Sequence, residues 1–368
     1  MDALQEQLPA NSEIEIVTTL PNRYASYSVS APEYEEQDNL KIHRIKLPSH
    51  SSGMVDQAMA FKSYYFKALS ITKNKDYDVV VATSSRLFTA FLGARFAGKK
   101  VPLYLDIRDI FTDTLEDVLA KPMALSVLPV IRMVEAYTLK KATQVNLVSP
   151  GFNPYFEAKY PGTKYENYTN GIDEVFFKDP VSPETKNDDE PKVILYAGNI
   201  GESQGLHNVL PDLAKLLEND NVIIKVIGDG GRKNQLVEKI AQQNVSNIQL
   251  LDPVDRNTLI EHYKKADILF CHLNDMKAFL KVLPSKIFEY AIFNKPILAG
   301  VSGYAVKFFR ENLDAVQLFS PCNAKEAYDA FQRIDFQPLD NAEFTERFRR
   351  KNVMREMAKS IINLAQSK

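Results

Sequence analysis

Three glycines, Gly198, Gly201 and Gly205, follow an apolar run and precede a helical pattern in YAGNIGESQGLHNVL (196–210). Lacking side chains, they let backbone N–H groups close on a phosphate, and the positive end of a following helix adds attraction. Their G-x-x-G-x-x-x-G spacing is not the dinucleotide fingerprint, and by itself it is equally well read as a tight strand-to-helix turn. A second loop, IGDGGRKNQL (227–236), again ends an apolar run and carries Gly228, Asp229 and Arg232. A guanidinium suits bidentate phosphate recognition, although a solvated Arg at a helix start is equally ordinary. In KVLPSKIFEYAIFNKPIL (281–298), Ser285 suits a helix N-cap and Asn294 a left-handed stop before Pro296. Ile287, Tyr290 and Ala291 then form a buried stripe, which leaves Ser285, Lys286 and Glu289 facing a crevice. A carboxylate so placed accepts hydrogen bonds from sugar hydroxyls, whereas the bland reading of Lys286 with Glu289 is an exposed i,i+3 ion pair.

In the first half, Asp106, Arg108, Asp109 and Asp113 lie at the end of an apolar run and in the loop beyond it. Doubly wound sheets place ligand contacts there, and charged residues also line such loops without any role. His43, His50, His207, His262 and His272 show no metal-ligand spacing, and adjacent Cys271 and His272 in a strand would point to opposite faces. The cysteines, Cys271 and Cys322, make no disulfide framework in a chain of 368 residues and read as buried thiols of a reducing compartment.

The elements that hold these residues repeat in two series. The runs 14–19, 40–46, 78–83, 101–107 and 144–149 alternate with helical stretches, and 192–197, 222–227, 247–251, 267–272, 296–299 and 315–319 do so again. Near-continuous apolar strands between amphipathic segments imply parallel sheets covered on both faces, so the expected class is α/β with two doubly wound Rossmann-like domains facing each other across a cleft. The polar, proline-bearing stretch 179–192 reads as a linker, which sets domains at 1–184 and 185–340. Residues 341–368 read as one long helix, able to kink and to cross back to the first domain. The first half opens with MDALQEQL, a helical pattern with no strand before it, so its first strand and ligand-facing loop are expected to be missing.

Lys and Arg number 45 against 47 Asp and Glu, a net charge of -2, which gives no global field for nucleic acid. No run resembles a spanning helix or a signal peptide, so the expected compartment is the cytoplasm. Two stretches, 60–69 and 121–142, mix apolar and basic residues and suit either packing on the first sheet or peripheral docking on an anionic leaflet.

Taken in order, strand-GNIG, GDG and SKIFEYAIFNKPI resemble the C-terminal half of family 4 glycosyltransferases, which have the two-domain GT-B fold. The resemblance covers about residues 100–330, takes in SPGFNPYF (149–156) and TNGIDEVFF (169–177), and through DIRDIFTDTL (106–115) is similar to bacterial surface-polysaccharide transferases of the fucosamine type. It implies that Gly198 through Gly205 hold a donor diphosphate, that Pro253 and Val254 lie beside the base and that Glu289 holds the ribose. It also implies that the loop of Arg108 and Asp109 faces the transferred sugar or the acceptor. The family usually has an Arg after the first glycine, a Lys before the last and an acid eight residues before Glu289; here these are Asn199, Gln204 and Lys281. Lys281, Lys286 and Arg232 are the candidates to replace the lost charge.

The expected activity is retaining, metal-independent transfer of a sugar from a nucleotide-diphosphate sugar, with UDP as the expected carrier, to a lipid-linked or oligosaccharide acceptor in envelope polysaccharide synthesis. The nucleotide sugar is a substrate, and no cofactor is expected. Rival readings are a nucleotide-sugar epimerase on the same scaffold, a two-lobed sugar-binding protein and a degenerate, non-catalytic homologue.

Overall fold

The computed structural model describes residues 1–20, 31–47, 54–84, 87–119, 121–178, 190–337 and 339–367. The expected linker and the domain boundary near 185 fall largely outside these residues.

The second half is built on six parallel strands: β8 (Lys192–Ala197), β9 (Val222–Ile227), β10 (Ile248–Leu251), β11 (Ile268–His272), β12 (Ile297–Gly300) and β13 (Val316–Phe319), in the order β10-β9-β8-β11-β12-β13. Alternate residues feed two cores, as the two-residue side-chain period of a strand requires. Leu195, Leu269 and Cys271 meet Tyr263, Ile287 and Tyr290 on one face, while Ile194, Val226 and Phe270 meet Leu213, Leu236 and Ala327 on the other. The chain order reverses beside β8, the point at which a doubly wound sheet opens a crevice at its carboxyl edge.

The first half divides into two sheets. In one, β1 (Ile14–Thr19) and β3 (Leu40–Ile45) are parallel, with β2 (Tyr34–Gln37) antiparallel to β3. In the other, β4 (Val80–Ser84), β5 (Leu103–Ile107), β6 (Gln144–Leu147) and β7 (Lys164–Glu166) run parallel in that order. β2 and β7 have no counterpart among the apolar runs. Among the described residues β1 and β4 each pair on one side only, so the expected single sheet is interrupted between them. Glu15 of β1 is tied to His43 (2.8 Å), Lys75 and Tyr77 (2.5 Å), which holds the smaller sheet to the segment entering β4.

Helix Lys121–Lys141 is long and apolar enough to cross a membrane, contrary to the reading of the sequence. It packs against helices Leu87–Ala97 and Phe111–Val118, and its Glu135 is buried, accepting from Thr112 (2.5 Å), Tyr155 (3.0 Å) and Tyr160 (3.1 Å). A carboxylate satisfied in this way makes the helix an element of the domain.

The terminal pattern is two helices, Ala342–Arg347 and Arg350–Gln366, instead of one. The break falls where the Ile172 N–H donates to Phe348 O (2.8 Å) and the Arg350 N–H to Ile172 O (2.9 Å). Phe344 and Phe348 stay with Phe288 and Phe308 of the second half, whereas Ile361 and Leu364 pack on Tyr104 of β5. The Ser360 hydroxyl donates to Glu166 (2.6 Å) and accepts from Gln144.

Candidate active site

Two glycine loops interlock at the carboxyl ends of β8 and β9. Gly198 donates to Ile227 O (2.8 Å), Ile200 N–H to Asp229 O (2.8 Å), and Arg232 N–H to Ile200 O (2.9 Å). Gly228, at φ 152°, lies so close to the Gly198 carbonyl that a Cβ would overlap it, and Gly230 stands in the same way against Ile200. Here glycine is required by the close approach of two backbones. Across the mouth of the first loop the Asn199 amide donates to Gln204 Oε1 (2.8 Å). The N–H groups of Asn199, Gly201, Glu202 and Ser203 make no hydrogen bond among the described residues and are available to an anion.

Helix Lys286–Ala291 follows Pro284 and Ser285. Ser285 occupies the N-cap position in a helical conformation, and its hydroxyl makes no capping hydrogen bond, contrary to expectation. Ile287, Tyr290 and Ala291 are fully buried, and Asn294 takes the left-handed conformation at φ 49°. Lys286 reaches past Tyr196 to the carbonyl of Ala197, directly beneath Gly198, and does not pair with Glu289. Burial lowers the Lys286 pKa, with Glu289 acting in the opposite direction. Glu289 accepts from the buried Tyr263 hydroxyl at 3.4 Å and remains partly exposed.

The other proposed cations are occupied. Arg232 is paired with Glu202, and Lys281 reaches into the first half to Asp113 (2.6 Å). Lys286 is thus the member of the trio with no carboxylate at ion-pair distance among the described residues. Pro253 and Val254 stand exposed on the loop after β10, beside the Lys233–Asp252 pair (2.7 Å).

On the first-half side, Asp106 at the end of β5 is buried and accepts from Asn146 (2.8 Å) and Arg108 (3.1 Å). Asn146 also receives the Tyr168 N–H (2.6 Å) and donates to Tyr168 O (3.0 Å), while Arg108 donates to Asn170. Arg108 is therefore aimed by a polar lattice. Its neighbour Asp109 is solvent-accessible, yet its pKa is raised by the low-polarity surroundings against the pull of Arg108. Asp113 brings this loop to Lys281. The Ser149 hydroxyl adds a hydrogen bond to Lys281 O (2.6 Å), and Gly151 packs against that same carbonyl.

Sequence reasoning missed Asn146, His272 and Asn274. Their signal was a polar side chain within or just beyond an otherwise apolar strand. His272 and Asn274 hold the first glycine loop from β11: the His272 ring lies 2.6 Å from Gln204 O, Asn274 N–H donates to Ser203 O (2.8 Å), and its amide to Glu202 O (2.9 Å). Among the described residues no three His, Cys, Asp or Glu side chains gather as a metal site.

Residues 177–351 match the family described as Glycosyl transferases group 1. A protein of Escherichia coli (strain K12), WcaI, named for colanic acid biosynthesis as a glycosyl transferase, is 39% identical over 101 residues, which are 27% of this chain and 24% of that protein. The uncharacterized glycosyltransferase MJ1607 of Methanocaldococcus jannaschii is 24% identical over 256 residues, 65% of this chain and 62% of that protein. This chain thus spans under two thirds of either relative. Among solved structures, a UDP-forming α,α-trehalose-phosphate synthase of Burkholderia vietnamiensis superposes with a TM-score of 0.66 at 12% identity, covering 96% of this chain and 100% of that one. At that identity the superposition speaks for the fold. Residues 177–351, which carry the interlocked glycine loops, are thus similar to group 1 glycosyl transferases, and the superposition over the whole chain shows the GT-B fold.

Proposed function

We propose that the chain transfers a sugar from a nucleotide-diphosphate sugar, with UDP as carrier, to a hydroxyl of a lipid-linked or oligosaccharide acceptor in envelope polysaccharide synthesis. The observation that carries this reading is Lys286, a desolvated cation with no ion-pair partner among the described residues, lying beneath a glycine loop with four N–H groups that make no hydrogen bond there. The name of the Escherichia coli relative supports the polysaccharide context.

In this mechanism the bond between the sugar C1 and the diphosphate oxygen breaks, and its electron pair stays on the oxygen. Lys286 and the N–H groups of Asn199, Gly201, Glu202 and Ser203 stabilise the charge that grows there, which favours the transition state over the bound donor. Glu289 holds the ribose hydroxyls. The acceptor oxygen attacks C1 from the same face, and its proton passes to the departing phosphate oxygen, which retains the anomeric configuration. Arg108 and Asp109 orient the sugar and acceptor from the first half. We propose that no metal is required, because lysine and amides supply the positive charge at the leaving group.

We place the enzyme in the cytoplasm at the inner face of the membrane. The reading rests on the outer side of helix Lys121–Lys141, where Met123, Leu125 (81% exposed), Val130 and Met133 form an apolar stripe flanked by exposed Lys121 and Lys140. Such a face suits an anionic leaflet. Calorimetry with UDP, GDP and ADP, followed by product analysis with the sugar of the carrier that binds, tests the activity. EDTA-resistant transfer supports metal independence, an isomerised donor formed without acceptor supports the epimerase, and binding without turnover supports the degenerate homologue.

A further inference from the structure

The donor loop is held in shape from behind by a histidine whose protonation state its neighbours determine. His272 closes β11 and is 2% exposed. Its Nδ1 lies 2.6 Å from the carbonyl of Gln204, which can only accept, and its Nε2 receives the Cys322 N–H at 2.9 Å, which can only donate. The proton therefore sits on Nδ1 and the ring is neutral. The ring belongs to a three-ring cluster with Phe270 and Phe319, at centroid distances of 6.0 and 5.9 Å, the two phenylalanines themselves being 5.9 Å apart. A Cβ at Gly300, the residue facing it on β12, would strike both the His272 and Phe319 rings.

Two residues on, Asn274 takes the carbonyls of Glu202 and Ser203, so three consecutive loop carbonyls are turned toward the end of β11. In a trans peptide the C=O and the next N–H point in opposite directions. Holding the Glu202 carbonyl at β11 thus turns the Ser203 N–H, which makes no hydrogen bond among the described residues, away from that strand. Cys322 links the two holders, because its thiol also donates to Asn274 Oδ1 (3.1 Å) while its N–H reaches His272.

We propose that His272 is a positioning residue: by holding the Gln204 carbonyl it fixes the Gln204–Gly205 peptide, whose N–H closes on the Gly201 and Glu202 carbonyls, so it presets the turn that carries the unbonded N–H groups of Gly201, Glu202 and Ser203 for a diphosphate, and it is itself oriented by Cys322. This rests on the donor-loop reading above. Preorganised amides cost no reorganisation when the anion arrives, so losing the brace weakens diphosphate binding without removing any group that touches the ligand.

Three variants separate this role from packing. His272→Phe keeps an aromatic ring in the cluster and loses both hydrogen bonds, His272→Asn places an amide N–H at the Nδ1 position, and His272→Gln reaches only the Nε2 position. Binding of UDP, GDP and ADP is measured by calorimetry, amide exchange of residues 199–205 is followed without ligand, and melting temperatures are recorded in parallel. The expected result is about tenfold weaker binding of the nucleotide that wild type prefers, and about tenfold faster loop exchange, in the Phe and Gln variants. The Asn variant should stay within about threefold of wild type in both, although it melts no higher than the Gln variant. Wild-type affinity and exchange in a folded Phe variant, or losses in all three that follow melting temperature alone, would overturn the proposal and leave the donor-loop reading intact. A wild-type protein that binds none of the three nucleotides would overturn that reading and this one with it.

Discussion

Lys281 was expected to act on the leaving diphosphate, yet its ammonium is 2.6 Å from Asp113 on the opposite domain. The side chains are 33% and 16% exposed, so the pair is neither dry nor fully screened. At 4 Å and an effective dielectric near 20 the raw attraction is about 4 kcal/mol. Ordering a lysine takes back about 1–2 kcal/mol, and exposed pairs measure about 0.2–1 kcal/mol. A coupling of about 1 kcal/mol is therefore expected from a cycle of Lys281→Met, Asp113→Asn and the double variant, read by denaturant unfolding. Turnover discriminates between two roles. If Lys281 acts by holding the halves together, Asp113→Asn lowers kcat as far as Lys281→Met does, the double variant is no worse, and small-angle scattering shows expansion in all three. If Lys281 acts on the diphosphate, Asp113→Asn frees it and turnover is kept or raised. A coupling indistinguishable from zero with unchanged scattering would refute the clasp, leaving the Ser149 contact with Lys281 O as a packing detail.

The buried His272 keeps a pKa of about 4 by desolvation, against 6.5 when unfolded, so the unfolded chain binds a proton that the native chain refuses between those values. Stability should therefore fall as pH drops from 6.5 to 4, by about 3 kcal/mol at most, with no further contribution from this group below; an equal slope in His272→Asn would assign the loss elsewhere. Glu289→Ala should weaken the preferred nucleotide sugar by about 1–3 kcal/mol in calorimetry without lowering the melting temperature appreciably, and unchanged affinity would return Glu289 to being Tyr263's acceptor alone. Gly205→Ala must enter a left-handed conformation at φ 57° with its Cβ 2.8 Å from the Asn274 side chain. It should cost about 1–2 kcal/mol in unfolding and weaken the nucleotide as well, and an unaltered Kd would separate the loop from the ligand.

Every apolar run marked in the sequence as a strand is a strand, because a short run of mostly apolar, often β-branched residues bounded by polar or helical segments is readily buried as a strand of a covered parallel sheet. β2, with sequence YEEQ, was invisible for the complementary reason: it is a mostly exposed edge strand held by backbone pairing to β3. The break at Phe348 was equally hidden, since the apolar spacing continues through it and only the distant Ile172 interrupts the helix. In the candidate site, glycines and Lys286 were legible because backbone approach and helix face follow from local spacing. The partners of Arg232 and Lys281 were not, because Glu202 and Asp113 reach them through tertiary contacts that spacing does not encode. Ser285 misled in the opposite way: its residue type suits a cap, but the backbone there is already helical and the hydroxyl has no orphan N–H to meet.

The two departures from the family loop, Asn199 and Gln204, are joined to each other at 2.8 Å, and this changes what the missing cations mean. An Arg and a Lys at these positions would bring charge to the ligand on flexible stems. An amide pair brings none, but it closes the mouth of the turn. The positive charge that remains, Lys286, comes from beneath the loop on a short helix packed by Ile287 and Tyr290, with its ammonium desolvated at the Ala197 carbonyl. Charge at such a place is screened far less by salt than charge on the surface. Donor binding should accordingly depend only weakly on ionic strength, falling by less than about threefold between 50 and 500 mM salt, whereas a site served by exposed Arg and Lys loses far more. A steep salt dependence in wild type would mean that Arg232 leaves Glu202 to meet the diphosphate. Glu202→Gln would then raise donor affinity by releasing it, and with Lys286 dominant that variant should change affinity little.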